Sequence, residues 1–249
     1  MKFKQGSEKN SKFSKPNTGQ EYFWCLERAK SVFQGGKYCK EYDREKLLND
    51  YSQMSLIYHS ANRNLQKQFD SEKLADRLEE LIVVEKLSDE SQRFIEQQNM
   101  FFIATINEMG QPTVSYKGGE QGFVKVLNEK TIAFPGYDGN GMFLTAGNIL
   151  STSEVGLLFI YFEHPKRLRV HGIAGIHLED ELLSKYHEAQ YMVRIEITNV
   201  FDNCSRYIHK MHTLETSPFI PKAGCETPIP GWKERDDIKD ALPLSKDVP

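Results

Sequence analysis

Seven short runs rich in Val, Ile, Phe and Thr lie between Met100 and Phe201, and they constrain the fold more than any other feature. They are MFFIATIN (100–107), PTVSYK (112–117), GFVKVL (122–127), KTIAFP (130–135), VGLLFIYF (155–162), RLRVHGIAGIH (167–177) and QYMVRIEITNVF (190–201). Glu-Met-Gly, Gly-Gly-Glu-Gln and Asn-Glu separate the first four, and such short connections suit antiparallel neighbours. PGYDGNGM then breaks the pattern, and FLTAGNIL reads as one helical segment. Six or seven strands at this spacing, with one helix inserted, predict an antiparallel barrel rather than a doubly wound sheet.

Flanking helices make the class α+β, mainly β. From Ser71 to Glu85, Leu74, Leu78, Leu81 and Ile82 recur at helical spacing, with Asp70 or Ser71 as the N-cap. A second helix is predicted from Ser88 to Gln98, capped by Ser88 or Asp89, with Phe94 and Ile95 inward. Residues 1–20 are Lys/Ser/Asn-rich and read as a disordered arm; 21–50 read as helix, turn and helix. The domain division expected is an extension over 1–50 and a barrel domain over 51–249. The Pro-rich tail from Thr213 is expected to run as irregular chain.

Net charge is −3, so the molecule lacks the basic field of a nucleic-acid binder. Cys25, Cys39, Cys204 and Cys225 are too scattered for zinc or iron–sulfur ligation, and no metal is expected. No apolar run approaches the roughly 20 residues of a membrane span, and no secretory signal is visible. The expected location is the cytoplasm.

Three segments carry candidate chemistry. In RLRVHGIAGI, strand alternation puts Leu168, Val170, Ala174 and Ile176 on one side and Arg167, Arg169 and His171 on the other. Two same-face guanidiniums repel unless an anion lies over them; plain solvent exposure is the simpler account. In SYKGGEQGF, Lys117 precedes Gly118 and Gly119, a charge beside bare backbone that lets amides approach an anion. An ordinary turn explains it equally well. In PGYDGNGMFLTAGN, three glycines surround Asp138 and Asn140 ahead of a helix, a setting for phosphate or a simple capping turn. It is not G-x-G-x-x-G in a βαβ unit. A barrel that brought Lys117, Arg167, Arg169 and the 138–142 turn together would hold a phosphorylated ligand.

At these residues the chain resembles the pyridoxamine 5′-phosphate oxidase-like, FMN-binding split-barrel superfamily, more closely a branch of oxidoreductases of undefined substrate. The similarity runs from about Tyr58 to His212, on YHSANRNLQKQFD, FFIATINEMGQPTVSYKGG, GFVKVL, FPGYDGNGMF, GNIL, VGLLFI, PKRLRVHG and NCSRYIHK. It implies a six-stranded split β-barrel, a homodimer and FMN at the subunit interface. It also implies phosphate contacts from the strand of Ser115, Tyr116, Lys117 and Gly118. Asn140, Met142 and Asn148 stand in the place of a Ser-Arg-Lys phosphate motif, and Arg167 and Arg169 on a strand facing the flavin ring. The Ser-Arg-Lys triplet itself is replaced by Gly139-Asn140-Gly141. The C-terminal arginine motif of true oxidases is missing, so turnover of pyridoxamine phosphate is not implied.

The resulting expectation is an FMN-dependent oxidoreductase acting on a small molecule. No catalytic acid or base is assigned, because the flavin carries the chemistry. His171, Arg206, Tyr207 and His209 are expected on the substrate side. The alternative is a flavin or haem binding or sensor protein without turnover, with His59, His171 or His209 as axial ligands. A third reading is an interaction protein that has lost its cofactor.

Overall fold

The computed structural model describes residues 55–243, all within a unit that begins at Ser55. The expectations for residues 1–50, Cys25 and Cys39 lie outside the described residues, as do 244–249. Four α-helices and seven strands are present among the described residues: α1 Ser60–Gln68, α2 Glu72–Ile82, α3 Asp89–Glu96, β1 Met100–Ile106, β2 Pro112–Gly118, β3 Lys125–Asn128, β4 Thr131–Gly136, α4 Leu144–Thr152, β5 Glu154–Tyr161, β6 Lys166–His177 and β7 Tyr191–Asp202. After Asp202 only short 3₁₀ turns interrupt the irregular chain.

The strands form one antiparallel sheet in the order β2-β1-β5-β6-β7-β4-β3. Phe101 on β1 meets Phe134 on β4 edge to face, with ring centroids 5.0 Å apart. In a flat sheet four strand spacings would separate them by roughly 19 Å. The sheet therefore curls on itself, while its end strands β2 and β3 do not pair with each other. This is a split barrel of seven strands, one for each of the seven apolar runs and one more than the six that the resemblance implies.

One face of every long strand fills the barrel. Phe101, Ile103, Phe134, Phe159, Leu168, Val170 and Ile195 are almost wholly buried there, and α3 adds Phe94 and Ile95. Ser88 caps α3 through a bond from the Ser91 amide at 3.2 Å, as its sequence predicts. α2 forms where the helical spacing predicts it, yet it turns no large apolar side chain into the core. Leu74, Leu78, Leu81 and Ile82 are all exposed, and only Ala75 is buried. α1 has no sequence expectation behind it; apart from Ala61 and Leu65 its residues are polar, and none is buried.

The β6–β7 connection is held by a bidentate pair. Arg194 donates Nε and Nη to the Asp180 carboxylate at 2.7 and 3.0 Å, and the Leu182 amide adds a third bond at 2.9 Å. These contacts, the Arg194 bonds first, hold the Asp180 pKa down at about 2. Its side chain is only 3% exposed. Loss of such charge-assisted bonds in Asp180→Ala is expected to cost about 2 kcal/mol at neutral pH. Because the folded pKa is depressed, this contribution is complete above the unfolded carboxylate value near 4 and fades as pH falls toward 2. Thermal melts of native and variant chains at pH 7 and at pH 3 check it: the gap between them narrows in acid.

Candidate functional site

Register across the sheet decides which candidate side chains share a face. Ser115 pairs with Ile103, Ile103 with Leu157, and Leu157 with Val170. Lys117 pairs with Phe101. Ser115 and Lys117 therefore belong to the face that fills the barrel. Tyr116 pairs with Phe102, Phe102 with Leu158, and Leu158 with Arg169. Tyr116, Arg169 and, by alternation, Arg167 and His171 belong to the outer face. Within one subunit, opposite strand parity thus places Lys117 and the two arginines on different faces of the sheet.

The inner group gathers at α4. Thr145 Oγ1 donates to Ser115 Oγ at 3.0 Å, and Asn148 Nδ2 donates to Thr105 Oγ1 at 3.0 Å. Both bonds pin α4 across β1 and β2, so Asn148 positions the helix with its amide nitrogen. Thr145 was missed by sequence reasoning; its place in the first turn of α4 only gains meaning from the docking. Ser115 keeps its own proton to donate onward, because it acts as acceptor to Thr145. The N-cap of α4, Phe143, has left-handed backbone (φ 49°) and offers no side-chain cap, which leaves first-turn amides without that partner. Lys117 is mostly buried, burial pushes its pKa down, and it has no hydrogen bond or ion pair among the described residues.

The 138–142 turn is a surface loop. Asn140 Oδ1 accepts from the Met142 amide at 3.1 Å, Met142 is exposed, and Asp138 is paired with Lys233 from the tail. Asn140 is thus engaged in a local turn, and neither it nor Met142 is hydrogen-bonded to Lys117 or the arginines.

On the outer face, Arg167 Nη2 donates to Asn203 Oδ1, while its Nε is buried without a partner. Arg169 lies over the Phe201 ring at 5.9 Å, and His171 meets the same ring edge-on at 5.2 Å. Burial, then the Arg169 charge, pushes the His171 pKa down. Gly118 has the Tyr116 ring folded over it, where a Cβ would come within 2.8 Å of the ring. Arg206 Nε donates to Cys204 Sγ at 3.1 Å, and the backbone and side chain of Arg206 lower that thiol's pKa. Tyr207 and His209 are exposed on the same segment, and His59 is exposed just before α1. A cavity of about 520 Å³ lies between Glu163 and His164 of the β5–β6 turn and Lys210–His212, and neither arginine lines it. Among the described residues no cluster of His, Cys, Asp or Glu suits a metal ion, and no helix is long and apolar enough to cross a membrane.

Several solved structures are similar to this chain. HupZ from Group A Streptococcus shares 17% identity with a TM-score of 0.40, over 50% of this chain and 99% of that one. An FMN-binding protein from Syntrophomonas wolfei shares 11% with a TM-score of 0.38, over 56% and 97%. The heme storage protein HutZ from Vibrio cholerae shares 17% with a TM-score of 0.35, over 47% and 94%. Among curated proteins none matches. Residues 87–217, more than half of the 249, match the family model described as pyridoxamine 5′-phosphate oxidase, and the chain belongs to that family.

Proposed function

We propose that this chain binds FMN and serves as a flavin-dependent oxidoreductase for a small molecule, its phosphate grip built on Lys117. The observation that carries the reading is the isolation of that lysine. A mostly buried ammonium without a counter-charge is costly, and its natural partner is an anion from outside the chain. Ser115, with a proton to donate, shares its face two residues back, and the Thr145 bond brings the uncapped first turn of α4 onto Ser115. An ammonium, a hydroxyl donor and backbone amides fit a phosphate monoester. Family membership supports the flavin as its bearer.

Bound FMN would supply hydride or electron transfer. The chain's own residues then have positioning work. Lys117 neutralises the phosphate, Ser115 orients it through the Thr145 relay, and Asn148 fixes α4 against Thr105 so that the first-turn amides stay aimed. Phe101 and Ile103, which flank Ser115 and Lys117 on β1, keep water out of the barrel side.

The reading includes a homodimer in the cytoplasm. Leu144 and Leu150 on α4, with Met142 and Phe143 before it, are exposed side chains that a second subunit would cover. Sedimentation of the purified chain tests this, and a monomer at micromolar concentration overturns it.

The absorption spectrum of the purified chain is the first test of the flavin. Flavin bands, or quenching of FMN fluorescence on titration, are the expected result. A haem spectrum, or a chain that leaves FMN fluorescence unquenched, overturns the reading. Anaerobic mixing of the loaded chain with NADH or NADPH then separates an enzyme from a carrier: bleaching is expected.

A further inference from the structure

One loop, residues 137–143, spans the stretch of chain that carries Lys117, and both of its ends are fixed. Burial, and then the Glu120 charge, push the Tyr137 pKa up to about 12, which puts Tyr137 within electrostatic reach of Glu120. Tyr186 lies within reach of Tyr137 in turn, and donates its hydroxyl to the Phe123 carbonyl at 2.9 Å. The loop therefore starts at the turn that follows β2. It ends on β2 itself, where Thr145 donates to Ser115 Oγ at 3.0 Å. Lys117 lies between the two anchors, two residues past Ser115 and three short of Glu120.

Glu120 and Asp138 put two exposed carboxylates on this rim, and they outnumber the single ammonium of Lys117. Left so, the rim repels a phosphorylated ligand on its way in. The tail alters the balance. Lys233 is paired with Asp138 from 95 residues away, and its side chain is only 22% exposed. Its ammonium also lies 5.7 Å from the centre of the Trp232 ring. A 3₁₀ turn over Gly231–Glu234 carries both side chains, closed by the Lys233 amide on the Pro230 carbonyl at 2.9 Å. A lysine that serves only solubility extends into water, whereas an ion pair and an aromatic ring fold this one onto the loop.

We infer that Lys233 is a positioning residue for the anion grip at Lys117: paired with Asp138, it cancels a like charge on the rim and so sets how fast a phosphorylated ligand arrives. The inference rests on the phosphate grip proposed above and extends it to the C-terminal tail. Asp138 is the charge that repels, Lys233 offsets it, and Trp232 braces the lysine. A rim charge acts on the association rate and its salt dependence more than on dissociation.

Stopped-flow quenching of FMN fluorescence by the full chain tests this, with calorimetric titration of inorganic pyrophosphate as a probe free of flavin. In Lys233→Met the association rate at about 20 mM salt is expected to fall about three- to tenfold, with dissociation within about twofold of native. At about 500 mM salt, where charges are screened within roughly 4 Å, the two chains are expected to associate alike. Asp138→Asn added to Lys233→Met is expected to restore the native rate, and Lys233→Arg to keep it. Pyrophosphate affinity at low salt is expected to follow the same order. The Asp138 side chain is 60% exposed, so losing this pair leaves the fold intact. An unaltered rate in Lys233→Met overturns the inference and leaves the flavin reading standing. A slowed rate that Asp138→Asn does not restore, or that persists at high salt, also overturns it, because the tail then acts by packing. A native chain that binds no FMN but binds pyrophosphate in the expected order defeats the flavin reading and upholds the role of Lys233. One that binds neither defeats both.

Discussion

Gly172→Val is expected to unfold this protein about 10 °C below the native chain. Gly172 lies at the register shift where β6 passes from pairing His171 with Asn199 to pairing Gly172 with Ile197. The extra residue on β7 makes a bulge, which bends the strand locally. A Cβ at position 172 would fall 2.5 Å from the Glu196 carbonyl oxygen and 2.6 Å from Ile195 Cγ2. The first of these is backbone inside the longest strand pair of the sheet, so relief requires the ladder itself to move. Overpacking against such a neighbour costs about 3–4 kcal/mol. For a chain of this size that corresponds to about 10 °C in melting temperature. Gly139→Ala is the control: an added Cβ there meets nothing within 4 Å, and its melt is expected to match the native one. Thermal unfolding followed by circular dichroism decides. A Gly172→Val melt close to native would mean that the bulge relaxes freely.

How far the sequence foretells this structure depends on how local each signal is. Ser88 followed by Phe94 and Ile95 contains its own cap and its own buried face, and α3 forms with both. The alternation of β6 is equally self-contained: Leu168, Val170 and Ala174 are buried and Arg167, Arg169 and His171 face the other way. α2 shows the limit of periodicity. The spacing of Leu74, Leu78 and Leu81 makes an amphipathic helix, but says nothing of what covers the apolar side, and here these residues are exposed. GFVKVL shows another. Phe123 and Val124 are buried from a turn closed by the Phe123 amide on the Glu120 carbonyl, and the strand begins only at Lys125. Which candidate residues share a face has a deeper origin. Whether Lys117 and Arg169 share a face is set by three successive registers, β2 on β1, β1 on β5 and β5 on β6. A one-residue slip in any of them reverses the answer, and no pattern within a single strand encodes that choice. The Thr145–Ser115 bond is invisible for the same reason, since the residues are thirty apart and meet only once α4 docks.

Lys117→Met is expected to weaken FMN about 10- to 100-fold while making the empty protein more stable. The affinity loss follows from one charge-assisted contact to a phosphate, about 1.5–3 kcal/mol. Riboflavin, which lacks the phosphate, is expected to bind native and variant chains alike, and that comparison assigns the loss to the phosphate end. The stability gain follows from the sign of the lysine's shift. Burial holds the folded pKa below the ordinary lysine value, so the folded chain resists carrying this charge more than the unfolded chain does. At neutral pH that penalty is fully present, and it lifts only as pH rises into the gap between the folded and unfolded values. Methionine keeps the apolar stem and removes the charge, so the apo melting temperature rises at pH 7 and the advantage shrinks in alkali. A bound dianion draws the lysine pKa back up. Native affinity for FMN is therefore complete below the depressed pKa and declines as pH rises through it. The variant's affinity stays level between roughly pH 7.5 and 9.5, where the phosphate's own second ionisation, near 6, is already complete. A purely packing lysine behaves differently: its loss lowers the melting temperature and leaves the pH profile of FMN binding unchanged. Melts of the apo chains and FMN fluorescence titrations across that pH range distinguish the two, because only a lysine reserved for an anion trades stability for affinity.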